Sequence, residues 1–158
     1  MENVNSQNFD LIAESMLKTK NIRILAGAII RNNDKILVCP VKDKIKNEKF
    51  YRIIGGGVEF GEKIEEALRR EIKEEINSNL ENIKYLGFLE NIFEFEGRQG
   101  HEIFFIYQAD LSDKSLYGIT EMKILDGNRG DSAVWVDITL LKNSKFYPDG
   151  IENYIINY

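Results

Sequence analysis

Cysteine is almost missing from this chain: Cys39 is the only one among 158 residues. An intrachain disulfide and a thiolate zinc site are therefore both excluded. Cys39 lies among apolar residues in a stretch that reads as a strand, where a lone thiol serves as inert core packing. Proline is scarce too, with two residues, and there is no proline-rich linker, low-complexity tract or internal repeat. No stretch approaches the roughly 20 apolar residues that a membrane span needs. The first residues, Met-Glu-Asn, lack the basic segment and apolar run of a secretory signal. A cytoplasmic protein with no membrane partner is expected. The formal net charge of −5 argues against an extended nucleic-acid footprint. An anionic substrate stays open, because a bound metal can reverse the local field.

What the chain does have is the run Gly55–Ser78, GGGVEFGEKIEEALRREIKEEINS. A glycine-rich turn leads directly into a helical pattern, expected over Glu62–Ile76, with Gly61 as N-cap. Leu68, Ile72 and Ile76 make an apolar stripe. Glu71, Glu74 and Glu75 stand at i, i+3 and i+4, so they project from one face. Like charges at that spacing destabilise a helix, and a hard divalent cation with oxygen ligands neutralises them. Taken alone, the carboxylates fit a solvated helix face as well as a metal site.

These residues carry a resemblance. Gly56, Glu62, Arg70-Glu71, the aliphatic Ile72, and Glu74-Glu75 follow the spacing of the signature of the MutT-related Nudix hydrolases. Six of its seven strictly specified positions match; the departure is Asn77, where that family has glycine. Ser78 replaces an aliphatic residue. Asn tolerates the left-handed conformation after a helix end next best to Gly, so Asn77 is expected to end the helix in the same way.

The resemblance implies an α/β fold, the Nudix-type α/β/α sandwich around a mixed β-sheet. It implies magnesium as cofactor, with manganese as a substitute, held by Glu71, Glu74, Glu75 and the backbone carbonyl of Gly56. Gly55–Gly57 let the backbone approach metal and phosphate closely. Arg70 is expected to brace the loop or a neighbouring glutamate, and Glu62 to stand behind the ligands. Family members take the general base from the helix or from a later loop, so Glu71, Glu74, Glu75 and Glu121 are the catalytic candidates. Glu102, in an expected hairpin, Arg52 and Gly57 are the substrate-binding candidates. Arg52 suits bidentate phosphate contact. Tyr51 and Phe60 fit either base stacking or core filling. His101, the only histidine, fits a structural hydrogen bond better than substrate contact.

Along the chain, residues 1–20 read as an extension and residues 21–158 as the catalytic domain. Phe9, Ile12 and Met16 suggest a short helix whose role is open: capping the domain, meeting a second subunit, or fraying. A homodimer is among the assemblies the family implies. Ile24–Arg31 and Lys35–Val41 flank the turn-rich Asn32-Asn33-Asp34, which predicts a hairpin. Lys42–Lys49 is expected to loop out, with Tyr51–Ile54 a short strand. Ile83–Phe95 and His101–Asp110 predict a second hairpin, Ala133–Val136 a strand, and Ile151, Tyr154, Ile155 and Tyr158 one face of a terminal helix.

The expected function is metal-dependent hydrolysis of a diphosphate linkage in a nucleoside diphosphate-linked compound. A nucleoside triphosphate, cleaved to monophosphate and pyrophosphate, is the default substrate, because motifs of the ADP-ribose, dinucleoside polyphosphate, NADH and coenzyme A subclasses are absent. The alternatives are hydrolysis of ADP-ribose or a nucleotide sugar, and a nucleotide-sensing regulatory module. A sensor has no need to keep all three helix glutamates.

Overall fold

The computed structural model describes residues 21–125 and 131–157. Among these residues nine strands form one mixed sheet: β1 (Arg23–Ile29), β2 (Arg31–Asn32), β3 (Lys35–Asp43), β4 (Glu48–Gly57), β5 (Leu80–Phe95), β6 (Arg98–Leu111), β7 (Glu121–Lys123), β8 (Ser132–Asp137) and β9 (Phe146–Tyr147). Their order is β5-β6-β1-β4-β3-β8-β7, with β2 beside β3 and β9 beside β4. Helix α1 (Ile64–Ile76) follows β4 and helix α2 (Ile151–Ile156) follows β9. No described helix is long and apolar enough to cross a membrane.

Strand residues alternate between two cores, as the period of two requires. Ala26, Leu37 and Ile54 join Leu68, Ile72 and Ile76 of α1. Their chain neighbours Leu25, Val38 and Ile53 join Ile151 and Ile155 of α2. Full burial of a side chain such as Leu68 or Ile72 stabilises by about 1.5–3 kcal/mol. Helix, sheet and helix thus stack as the expected α/β/α sandwich. Asn77 ends α1 in the left-handed conformation (φ 52°, ψ 34°), its N–H bonded to the Lys73 carbonyl. Ser78 is buried, and its hydroxyl donates to the Asn79 carbonyl at 3.0 Å.

Several sequence expectations are corrected. The turn at Asn33-Asp34 joins only β2 to β3; β1 instead pairs in parallel with β6 and antiparallel with β4. A local turn signal sets the pairs beside it, whereas the partners of β1 lie far along the chain. Lys42–Lys49 is not a loop, because β3 and β4 continue through Lys42↔Lys49 to Asp43↔Glu48. Helix α1 begins at Ile64, with Lys63 as N-cap in place of Gly61, and the Glu66 carboxylate accepts the Lys63 N–H at 3.3 Å. The second hairpin is present, with the turn at Glu96-Gly97. Residues 9–19 and Tyr158 lie outside the described residues.

The sheet curls until the tips of its two long hairpins meet. Asp43, buried at the β3–β4 tip, accepts the N–H groups of Ile45, Lys46 and Glu96, the last at 3.0 Å. Lys46 donates to the Glu94 carbonyl at 2.6 Å. These backbone hydrogen bonds, the one from Lys46 foremost, hold the Asp43 carboxyl below its usual range. A depressed folded pKa contributes stability above the unfolded pKa of about 3.9, lost as pH falls through the folded value. Asp43→Asn is therefore expected to lower Tm at pH 7. Thermal melts should show the gap to the native chain closing below about pH 4; a gap independent of pH contradicts this assignment.

Candidate active site

The site is built where β4 runs into α1. The strand carries its glycines into the sheet, with Ala26 opposite Gly56 and Gly27 opposite Gly55. Gly55 has φ 138°, and a Cβ there would collide with the Ala26 carbonyl. At Gly56 a Cβ would strike the Glu71 carboxylate. Glycine at this position is what lets a helix carboxylate lie against the backbone of the turn.

Arg70 ties the turn to the helix. Its Nε and Nη2 donate to the two carboxylate oxygens of Glu62 at 2.9 and 3.0 Å, a planar fork on a planar acceptor. Nη2 also donates to the Gly57 carbonyl at 2.9 Å. Nη1 reaches Glu71 at 2.9 Å and Glu74 at 3.1 Å. The Arg70 hydrogen bond holds the Glu62 carboxyl below its ordinary range. Glu62, and after it Glu71 and Glu74, raise the Arg70 pKa further above its ordinary value. The Glu62 Oε2 also accepts the Glu59 N–H at 3.1 Å, fixing the loop ahead of α1.

The three helix glutamates differ in environment. The Glu71 side chain is 15% exposed and that of Glu74 is 44% exposed. Glu75 is buried, one residue before the end of α1, and its carbonyl accepts the Leu125 N–H at 2.8 Å. The sequence reading missed this tie; a backbone bond leaves no side-chain signal. Glu75 also marks the neighbourhood of Cys39 and Arg52. The Cys39 thiol is pushed up to about 12, first by burial, then by the Glu75 charge, with Arg52 acting oppositely. Such a thiol is inert, as core packing requires.

Arg52 stands directly across from Cys39 on β3, and Cys39 belongs to the core beneath α1. It therefore shares the face of the sheet that carries Gly56 and the helix. Its Nε is buried without a hydrogen-bond partner, and Nη2 makes one long bond, 3.4 Å, to the Gly55 carbonyl. Phe60, in the loop between turn and helix, is fully exposed. Tyr51 packs on Phe146, ring centroids 5.2 Å apart.

Two carboxylates from the sequence reading are not gathered with this cluster. Glu102 is buried on β6, where it accepts the Tyr147 hydroxyl at 2.6 Å and pairs with Arg23 at 3.3 Å. It alternates with Phe105 and Tyr107, which pack on the α1 side, so it points to the opposite side of the sheet. Burial, then Glu102, raises the Tyr147 pKa. Glu121 lies exposed on the edge strand β7, while its neighbour Met122 turns into the core beneath α1. His101 binds Glu90 at 2.8 Å across the β5–β6 hairpin, a structural contact.

Carboxylate and carbonyl oxygens from Glu71, Glu74, Glu75 and Gly56 form a donor set of the kind hard divalent cations take. The glycine cradle at position 56 leaves room for a carboxylate at the turn. Among the described residues, no three acidic, cysteine or histidine groups converge tightly enough to hold a metal ion as they stand. The Arg70 guanidinium occupies the space between Glu71 and Glu74. Oxygen donors of this kind suit a hard divalent cation, and the Glu71 carboxylate already lies against the Gly56 backbone.

Comparison with known proteins identifies the fold and the family. A nucleoside triphosphatase NudI of Enterobacter sp. (strain 638) is 43% identical over 60 residues, covering 37% of this chain and 43% of that protein. One from Escherichia coli (strain K12 / DH10B) is 44% identical over 59 residues, covering 37% and 42%. The chain spans less than half the length of these curated relatives. In structure, a NUDIX hydrolase from Nitrosomonas europaea superposes with a TM-score of 0.62 at 17% identity, covering 87% of this chain and 88% of that one. A MutT NUDIX hydrolase from Burkholderia pseudomallei gives 0.58 at 24% identity, covering 75% and 85%. Both share the fold. The NUDIX domain profile matches residues 22–154, most of the sequence and the whole of the glycine turn and carboxylate helix, and the chain belongs to the Nudix family.

Proposed function

We propose that this chain is a magnesium-dependent pyrophosphohydrolase, with manganese as a substitute ion, that cleaves a nucleoside triphosphate to monophosphate and pyrophosphate. The observation that carries the reading is the joining of Gly56, Glu71 and Arg70 at the turn before α1. Family membership supports hydrolysis of a small nucleotide, and the partial likeness to nucleoside triphosphatases supports the triphosphate class.

Glu71, Glu74, Glu75 and the Gly56 carbonyl would hold the ion. When bound, it supplies charge screening at phosphate oxygens and lowers the pKa of a bound water. The chain's own residues do the positioning. Arg70 holds the turn against the helix through Gly57 and Glu62. Arg52 offers an under-bonded guanidinium to a phosphate on the same side of the sheet. The general base is a helix carboxylate; Glu74, the most exposed of the three, is the one a water reaches most readily. The helix carboxylates are preferred over Glu102, which is bonded to Tyr147 and Arg23, and over Glu121 on the edge strand β7. Phe60 is the exposed ring nearest in sequence to the turn and suits stacking on a base.

Phosphate release with magnesium, screened over nucleoside triphosphates, oxidised triphosphates, ADP-ribose, dinucleoside polyphosphates and nucleotide sugars, tests the reading. Triphosphates should be turned over, and Glu74→Gln should cut kcat at least about a hundredfold with the fold intact. Turnover of another class alone removes the triphosphate assignment; silence across the panel favours a nucleotide-binding module. Arg70→Lys keeps the charge but loses the fork. It is expected to lower both Tm and kcat, and a lysine variant matching the native enzyme in both would show that the fork does not organise the turn.

A further inference from the structure

A pair of lysines lines a pocket on the other side of the β3–β4 hairpin. Lys42 and Lys49 stand directly opposite one another in the ladder. Cross-strand partners point to the same face, and like charges so placed destabilise the pairing. Among the described residues neither lysine has a carboxylate within ion-pair distance, whereas nearby Lys46 pairs with Glu94 and Lys145 with Glu48. Both lysines are exposed.

The pair borders a cavity of about 480 Å³. That volume lies within the range of about 300–1,000 Å³ typical of small-molecule sites. Lys145, Ser144 and Asn143 close its other wall, and Tyr51 lies beneath. The wall is anchored: the Lys145 carbonyl accepts the Tyr51 N–H at 2.9 Å, and the Asn143 and Ser144 N–H groups both bond to the Leu140 carbonyl. Tyr51 belongs to the core shared with α2, and it alternates with Arg52, which faces α1. Lys42 and Lys49 are in phase with Tyr51, so they turn away from the carboxylate helix.

We propose that this cavity binds a short phosphate chain, with Lys42 and Lys49 gripping it from β3 and β4 and Lys145 and Ser144 closing over it. Bound phosphate removes the Lys42–Lys49 repulsion, which supplies a reason for a like-charge pair in the hairpin. The site is separate from the catalytic reading and stands whether or not that reading holds.

Inorganic tripolyphosphate, titrated at low salt with a chelator present, tests it by thermal shift and by calorimetry. Tripolyphosphate should raise the native Tm saturably. Lys49→Gln and Lys42→Gln should each melt higher than the native chain without the anion, and each should bind it about tenfold more weakly or worse. Lys123→Gln, on the exposed edge strand β7, should bind as the native chain does. Native-like binding by both hairpin variants overturns the proposal. So does an equal loss in Lys123→Gln, which would mean diffuse attraction to surface charge, and so does the absence of any native shift.

Discussion

The contact on which the site depends is the one guanidinium of Arg70. The turn before α1 and the second half of the helix carry Glu62, Glu71 and Glu74 close together, an arrangement that repels itself. Arg70 touches all three and the Gly57 carbonyl as well. Only a planar group with five donors can hold a loop carboxylate in a fork, cap a backbone carbonyl and still reach two helix carboxylates. The glycine at 56 then acquires its meaning. With Arg70 drawing the turn down, the backbone passes so near Glu71 that no side chain fits. The Arg70 contacts hold Glu62, Glu71 and Glu74 together.

The scaffold presents this contact by strict alternation. Neighbouring residues in β1, β3 and β4 enter opposite cores, one under α1 and one under α2. The same alternation sorts the charged groups. Arg52 is turned to the carboxylate side, and Lys42 and Lys49 are turned to the other. Glu102 goes to the side away from α1, where Arg23 pairs with it and the Tyr147 hydroxyl donates to it. Hairpin tips joined through Asp43 hold the curl that brings these strands together.

Much of the helix that carries the candidate site was legible in the sequence because its determinants are local. The spacing of Glu71, Glu74 and Glu75, the apolar stripe beside them and the helix stop at Asn77 all lie within a few helical turns, and the structure follows each. The β5–β6 hairpin was legible from Glu96-Gly97 between two apolar runs. What was not legible depends on register between distant segments. The parallel pairing of β1 with β6 joins residues far apart in the chain, and the local Asn33-Asp34 turn pointed instead to a longer β1–β3 hairpin. Glu102 and Glu121 had suitable chemistry, but strand phase decided which side of the sheet they occupy. The facing of Lys42 and Lys49 depended on a tight turn that polar composition disguised as a loop.

The central claim is that the carboxylates of α1, released from Arg70, hold a divalent cation at the glycine turn. Manganese binding followed by electron paramagnetic resonance tests it without relying on any substrate. The native chain should take up manganese at a saturable site. Glu71→Gln, which leaves Arg70 bonded to Glu62 and Gly57, should bind it at least about tenfold more weakly. Equal affinity in the two proteins, with both folded, would place the metal elsewhere and remove the basis of the account.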